Sequence, residues 1–190
     1  MTNGSITYTC STSACSTGST SSGQNNPATL FSAANTTAVV SLTGVTLTNN
    51  VSTLLTAEAL NSGTWGTTGS NGGQVTFTAS DTALTGNVIV DDISSVAMSL
   101  KSGSTLSGAI NTADTGETVG LTLDSTSTWT VTGTSYLTTL SDTAGISGTT
   151  ITNIVGNGYT VYYYLSASNS ALGGLTYTLA GSAGGYLKPM

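Results

Sequence analysis

Three stretches of this chain repeat one another at near-constant spacing, and that spacing constrains the fold more than any other feature. VTFTA (75–79), VAMSL (96–100) and VGLTL (119–123) start 21 and 23 residues apart, and each has apolar first, third and fifth positions with small or polar residues between. Period-2 alternation is the mark of a strand with one buried face. A second alternating run follows each of the first, after a polar corner: LTGNVIV (84–90), LSGAI (106–110) and WTVTG (129–133). Two strands per repeat, both in phase, match one turn of a parallel β-solenoid, in which every coil stacks its apolar residues on those of the next.

The alignment predicts the core. Val75, Val96 and Val119 form one inward column, Phe77, Met98 and Leu121 a second, and Ala79, Leu100 and Leu123 a third. In the second strand Leu84, Leu106 and Trp129 stack, beside Gly86, Gly108 and Val131 and then Val88, Ile110 and Gly133. Residues 40–48 read as a preceding coil with a shortened corner, and 151–154, 159–163 and 175–179 as less regular later ones. No segment has helical period. The expected fold is all-β, a parallel solenoid of roughly seven coils of about 22 residues, roughly 35 Å long at the inter-strand spacing of about 4.8 Å. Residues 28–190 make this single domain, and 1–27 a Ser/Thr/Gly-rich lead-in.

The composition agrees with that geometry. Ser and Thr together number 68 of 190 residues, against ten charged ones. Outward positions of a solenoid lie beside the same positions in neighbouring coils, where stacked like charges would repel and hydroxyls would not. Two Lys, no Arg, no His and eight carboxylates give a net charge of −6. Such a surface cannot neutralise phosphates, so nucleic acid is excluded as a partner. The usual imidazole base and guanidinium clamp are also missing, which removes most hydrolase and transferase sites.

Several residues are candidates for chemistry or binding. Asp91 and Asp92 are the one adjacent carboxylate pair, but neighbouring strand residues face opposite ways, and the pair reads as a solvated corner. Lys101 is the one candidate base for a lyase, with no second cation near it. Asp81, Lys101 and Asp124 fall at one corner in successive coils, a pattern of charge compensation rather than a calcium ladder. No metal site or cofactor is expected. Columns of paired Thr would suggest ice binding; Thr78, Ser99 and Thr122, and Thr85, Ser107 and Thr130, hold only as mixed hydroxyls, while Thr76, Ala97 and Gly120 fail.

Trp129 belongs to the core. Trp65 lies in a Gly-rich loop, as ligand contact or loop anchor. Tyr162, Tyr163 and Tyr164 break strict alternation, so at least one faces outward. With Tyr177 and Tyr186 they make the C-terminal part aromatic-rich and available for capping, self-association or carbohydrate stacking. Cys10 and Cys15 are expected to form a short-loop disulfide, which implies an oxidising compartment. Three sequons, at Asn3, Asn35 and Asn50, would matter only in a eukaryotic secretory pathway. No apolar run reaches membrane-spanning length, and no signal peptide is visible after Met1.

The stretches GGQVTFTA (72–79), ALTGNVIVD (83–91) and LTLDSTSTWTVTGTSY (121–136), followed by GNGYTVY (156–162) and LGGLTYTL (172–179), resemble secreted microbial right-handed parallel β-helix repeat proteins of the adhesin-like and pectate-lyase-like kind. The resemblance spans roughly residues 28–188. It implies the fold and an extracellular or cell-surface location, and carries no functional residue across. The resulting expectation is a non-enzymatic structural or adhesin-like protein whose partner is itself, end to end or side by side, in filaments or a matrix. Open sheet ends, with only two Lys, two Pro and no helix-like segment to guard them, motivate it. A carbohydrate- or ice-binding module is the alternative, and a polysaccharide-degrading enzyme the third reading.

Overall fold

A computed structural model describes residues 1–8, 28–59 and 65–190. The chain winds as a parallel β-helix with three faces, to each of which a coil contributes at most one parallel strand; one coil adds a short antiparallel strand. The first level holds β1 (Ser5–Tyr8) and β2 (Thr29–Ala33). The second holds β3 (Thr36–Thr43), β4 (Thr46–Asn49) and β5 (Thr53–Ala57). The third has β6 (Gly73–Ser80), β7 (Ala83–Thr85) and β8 (Asn87–Val90). The fourth has β9 (Ser95–Lys101) and β10 (Thr105–Gly108), with Ile110 bridging to Val88 on the third face.

The fifth level has β11 (Thr118–Leu123), β12 (Thr128–Val131) and β13 (Ser135–Leu137). In the sixth, β14 (Thr139–Ser141) leads to β15 (Ile146–Ser147), which folds back antiparallel on β16 (Thr150–Val155), and β17 (Thr160–Tyr163) follows. The seventh replaces its first strand by a 3-10 helix, Ala167–Leu172, before β18 (Tyr177–Ala180) and β19 (Tyr186–Pro189). The first face is therefore β3, β6, β9, β11 and β14, all parallel.

The register is the one the repeats predict. Val75, Val96 and Val119 are partners, as are Phe77, Met98 and Leu121, extended to Val40 above and Leu140 below. Leu84, Leu106 and Trp129 stack on the second face and continue to Ile154. The large core residues named from the sequence are all buried. Trp129 donates its ring N–H to Gly108 O at 2.9 Å, which satisfies the one polar atom its burial strands. The inward glycines are needed for space and for backbone conformation: Gly86 has φ +119°, and a Cβ there would stand 2.6 Å from Leu54 N.

Two features depart from the expected pattern. The first eight residues do not stand apart as a lead-in: β1 pairs in parallel with β4, and Thr2 bridges Thr43. Moreover, not all hydroxyls face outward. Thr82, Ser94, Ser104 and Ser135 are buried at corners, where each meets a backbone N–H of the preceding coil. Thr82 Oγ1 accepts from Val45 N–H, Ser104 Oγ from Thr82 N–H, Ser94 Oγ from Gly73 N–H and Ser135 Oγ from Ile110 N–H. Ser104 in turn donates to Lys101 O at 2.8 Å, so one hydroxyl satisfies two buried backbone groups.

The C-terminal end is closed by the chain itself, which corrects the expectation that nothing helix-like could lie over it. The 3-10 helix covers β14, and Asn169 substitutes for a further strand. Its Oδ1 accepts from Leu140 N–H at 2.8 Å, and its Nδ2 donates to Thr138 O at 2.9 Å and Tyr164 O at 2.7 Å. On the other faces β18 and β19 pair antiparallel, Tyr177 opposite Leu187, and end the winding.

Candidate functional site

Side chains on the first face alternate in and out, so its outward residues form rows running across the coils. Ser41, Thr78, Ser99, Thr122 and Ser141 are register partners in five successive strands, and every one carries a hydroxyl. The adjacent row, Val39, Thr76, Ala97, Gly120 and Thr139, is mixed and mostly without hydrogen-bonding groups. Val39 is 76 % exposed. The face thus carries one unbroken hydroxyl row beside a low-relief apolar one, with no charge in either.

The third face carries aromatics. Tyr136 and Tyr162 are register partners whose rings stack at 5.2 Å between centroids and 13° between planes. Lys188 is the next partner after Tyr162, and its Nζ lies 4.8 Å from the centroid of the Tyr186 ring, a cation–π contact. Tyr164, just beyond the strand, donates its hydroxyl to Asp114 Oδ1 at 3.1 Å. That hydroxyl is held to its proton by burial and by the adjacent carboxylate.

Of the residues proposed for contact, Tyr162, Tyr164 and Tyr186 thus reach this outer surface. Tyr163 and Tyr177 do not. Both are buried, Tyr163 completely, with their hydroxyls given to Leu175 O and Leu172 O. Alternation sends Tyr163 inward between two outward tyrosines, and Tyr177 packs under the helical cap. Trp65 is 54 % exposed, in the loop that joins β5 to β6. Cys10 and Cys15 lie outside the described residues.

The charged candidates are mainly turn-makers. Asp124 accepts from Ser102 N–H at 2.6 Å and from the N–H groups of Thr126 and Ser127. The Ser102 contact first, then those of its own turn, hold its carboxyl well below the usual carboxylate range. Amide donors of its own turn and of the preceding coil thus hold the Asp124 carboxylate in place. Asp91 accepts from Ala59 N–H at 2.6 Å and from Ile93 N–H at 3.4 Å.

The carboxyl that faces Asp91 is Glu58, not Asp92. Register places Ala57 against Val90, so the next residues of the two coils are neighbours. Burial, and then the charge of Asp91, push the Glu58 carboxyl up. The sequence could not expose this pair, because the long 58–72 loop breaks the repeat at that corner. On the second face β4 leans away from β7 and leaves a shallow cleft, whose lining includes Leu47, Thr82 and one acid, Asp81. Among the described residues no group of three or more acids or cysteines could hold a metal ion, and no helix is long and apolar enough to cross a membrane.

No family model matches this sequence, and comparison with curated proteins and with solved structures finds no match.

Proposed function

We propose that this chain works without catalysis, as an extracellular structural or adhesin-like rod that associates with copies of itself through its first face. The observation that carries the reading is the unbroken hydroxyl row Ser41, Thr78, Ser99, Thr122 and Ser141. Two neighbouring rows with hydroxyls at coil spacing and no charge can pack on their own kind at little desolvation cost; Lys101, at the end of β9, borders them, and a net charge of −6 opposes association only weakly at ordinary salt.

Strand addition at the C-terminal end is disfavoured by the helical cap and by β18, which is already paired with β16 and β19. Lateral packing remains. Five strands averaging about six residues span roughly 500 Å², below the roughly 800 Å² per partner of a standard interface. Single contacts are therefore weak, and assembly is strongly concentration-dependent.

Sedimentation across micromolar to millimolar concentration, with electron microscopy of the same samples, tests this. The mass should rise with concentration, and a double variant S99K/T122K should remain monomeric through like-charge repulsion. A wild-type monomer throughout, or lysine variants that associate equally well, would refute the reading.

A second reading has its own observation. The stacked Tyr136 and Tyr162, with Tyr186 and Lys188 beside them, form an outer strip of the kind that contacts sugar rings. Retention on insoluble polysaccharide that is lost in Y136A/Y162A would support it. Equal retention of the variant would dismiss it.

A further inference from the structure

The inward column Leu42, Ala79, Leu100 and Leu123 is apolar through four coils. Since Thr122 pairs with Ser141, the residue that continues this column in the next coil is Asp142. Its side chain is 1 % exposed, at the place where every earlier coil puts a hydrocarbon. An ionised carboxylate there would forfeit its hydration with no cation in return.

The hydrogen bonds around it are lopsided. Asp142 Oδ1 accepts from Asn153 Nδ2 at 2.8 Å and from Gly145 N–H at 3.2 Å, while Oδ2 has no partner. Asn153 mirrors this: its Nδ2 is engaged, with Asp124 O as a second acceptor at 3.4 Å, and its Oδ1 has no partner. Both unpartnered oxygens crowd the same side of Gly145, where a Cβ would clash with Asn153 Oδ1 and stand 2.5 Å from Asp142 Oδ2. Two acceptors facing one another at a buried site need a hydrogen between them. The Asn153 amide cannot be turned to supply it without giving up both of its present acceptors.

We propose that Asp142 is carried as a neutral acid, its Oδ2–H donating to Asn153 Oδ1 while Asn153 Nδ2–H donates to Asp142 Oδ1, and that this reciprocal pair is a proton-operated latch on the last coils. The pair ties the corner after β14 to strand β16 and, through Asp124 O, to the coil before. β14 is also the strand that Asn169 and the 3-10 helix cover. When the proton leaves to solvent, the Oδ2–H bond is lost and a charge remains at the end of an apolar column, so the closure of the C-terminal end loosens.

Among the described residues no other charge offsets this. Asp124, at the end of β11, is committed to its own turn and to Ser102. Lys101 lies one coil farther still. β15, β16 and the 3-10 helix carry no titratable group, and Tyr177 of β18 is tied to Leu172 O. Burial pushes the Asp142 carboxyl up to about 6, against the partly opposing donors Asn153 and Gly145.

The sign follows from linkage. A carboxyl raised on folding adds stability that is complete below the unfolded value near 3.9 and is lost as pH rises through about 6. Carbon-13 titration of the intact chain reads Asp142 Cγ directly, and its midpoint should lie about two units above that of an ordinary aspartate. Denaturant unfolding at pH 4 and pH 7 should show the folding constant falling on the order of a hundredfold more in the wild type than in D142N, whose amide mimics the neutral acid. The proposal is overturned if Asp142 Cγ titrates at or below the ordinary range, or if D142N and wild type share one pH profile.

Discussion

Replacing Asn169 by Ala tests how the solenoid is closed. The residue is 3 % exposed and makes three hydrogen bonds to backbone groups of other segments. In N169A the Leu140 N–H loses its acceptor, and the carbonyls of Thr138 and Tyr164 each lose a donor. An unsatisfied buried donor costs about 1–3 kcal/mol, and carbonyls, with two lone pairs and easier relaxation, cost less.

The expected loss is therefore about 2–5 kcal/mol, a large part of the stability of an ordinary domain. Urea unfolding measures it, and hydrogen exchange locates it. The Leu140 amide should lose protection by two or more powers of ten, while the Met98 amide, two strands up the same face, should change only with global stability. A loss below about 1 kcal/mol with Leu140 still protected would show that the cap is ornamental and that β14 is closed by something else.

In the core, Met98→Ala or Leu121→Ala should cost about 2–5 kcal/mol in denaturant unfolding, since each is enclosed by register partners above and below. Asp124, depressed on folding, contributes stability that is present above its unfolded value and lost as pH falls, so D124N should flatten the acid limb below about pH 4. Mass measurement with and without reductant should show Cys10 and Cys15 joined within one chain; two free thiols or a covalent dimer would contradict the assignment.

What the sequence makes legible here is whatever repeats. Phe77, Met98 and Leu121 can be aligned by eye because three coils carry the same alternation, and the register follows from that alone. Features that occur once are hidden. Asp142 belongs to the column of Leu123, but β14 has only three residues, and an acid in place of a leucine reads as a corner. Asn169 acts through backbone hydrogen bonds, and its 3-10 segment is too short for any apolar period to announce it. The buried corner hydroxyls fail for a different reason: in a chain so rich in Ser and Thr, nothing in the residue type separates Ser104, which satisfies two backbone groups, from Ser107 on the outer face. Glu58 was obscured by the loop that displaces it from the repeat.

The core columns, the hydroxyl row and the buried acid all depend on the in-register stacking of coils, and the methyl group of Met98 tests it most directly. The chain has only three methionines, so selective methyl labelling isolates this one. In-register stacking predicts nuclear Overhauser contacts from the Met98 methyl to the Phe77 ring on one side and to the Leu121 methyls on the other, residues 21 and 23 positions away. A Met98 methyl that sees neither, or sees instead residues of its own hairpin, would contradict the parallel solenoid and everything built on it.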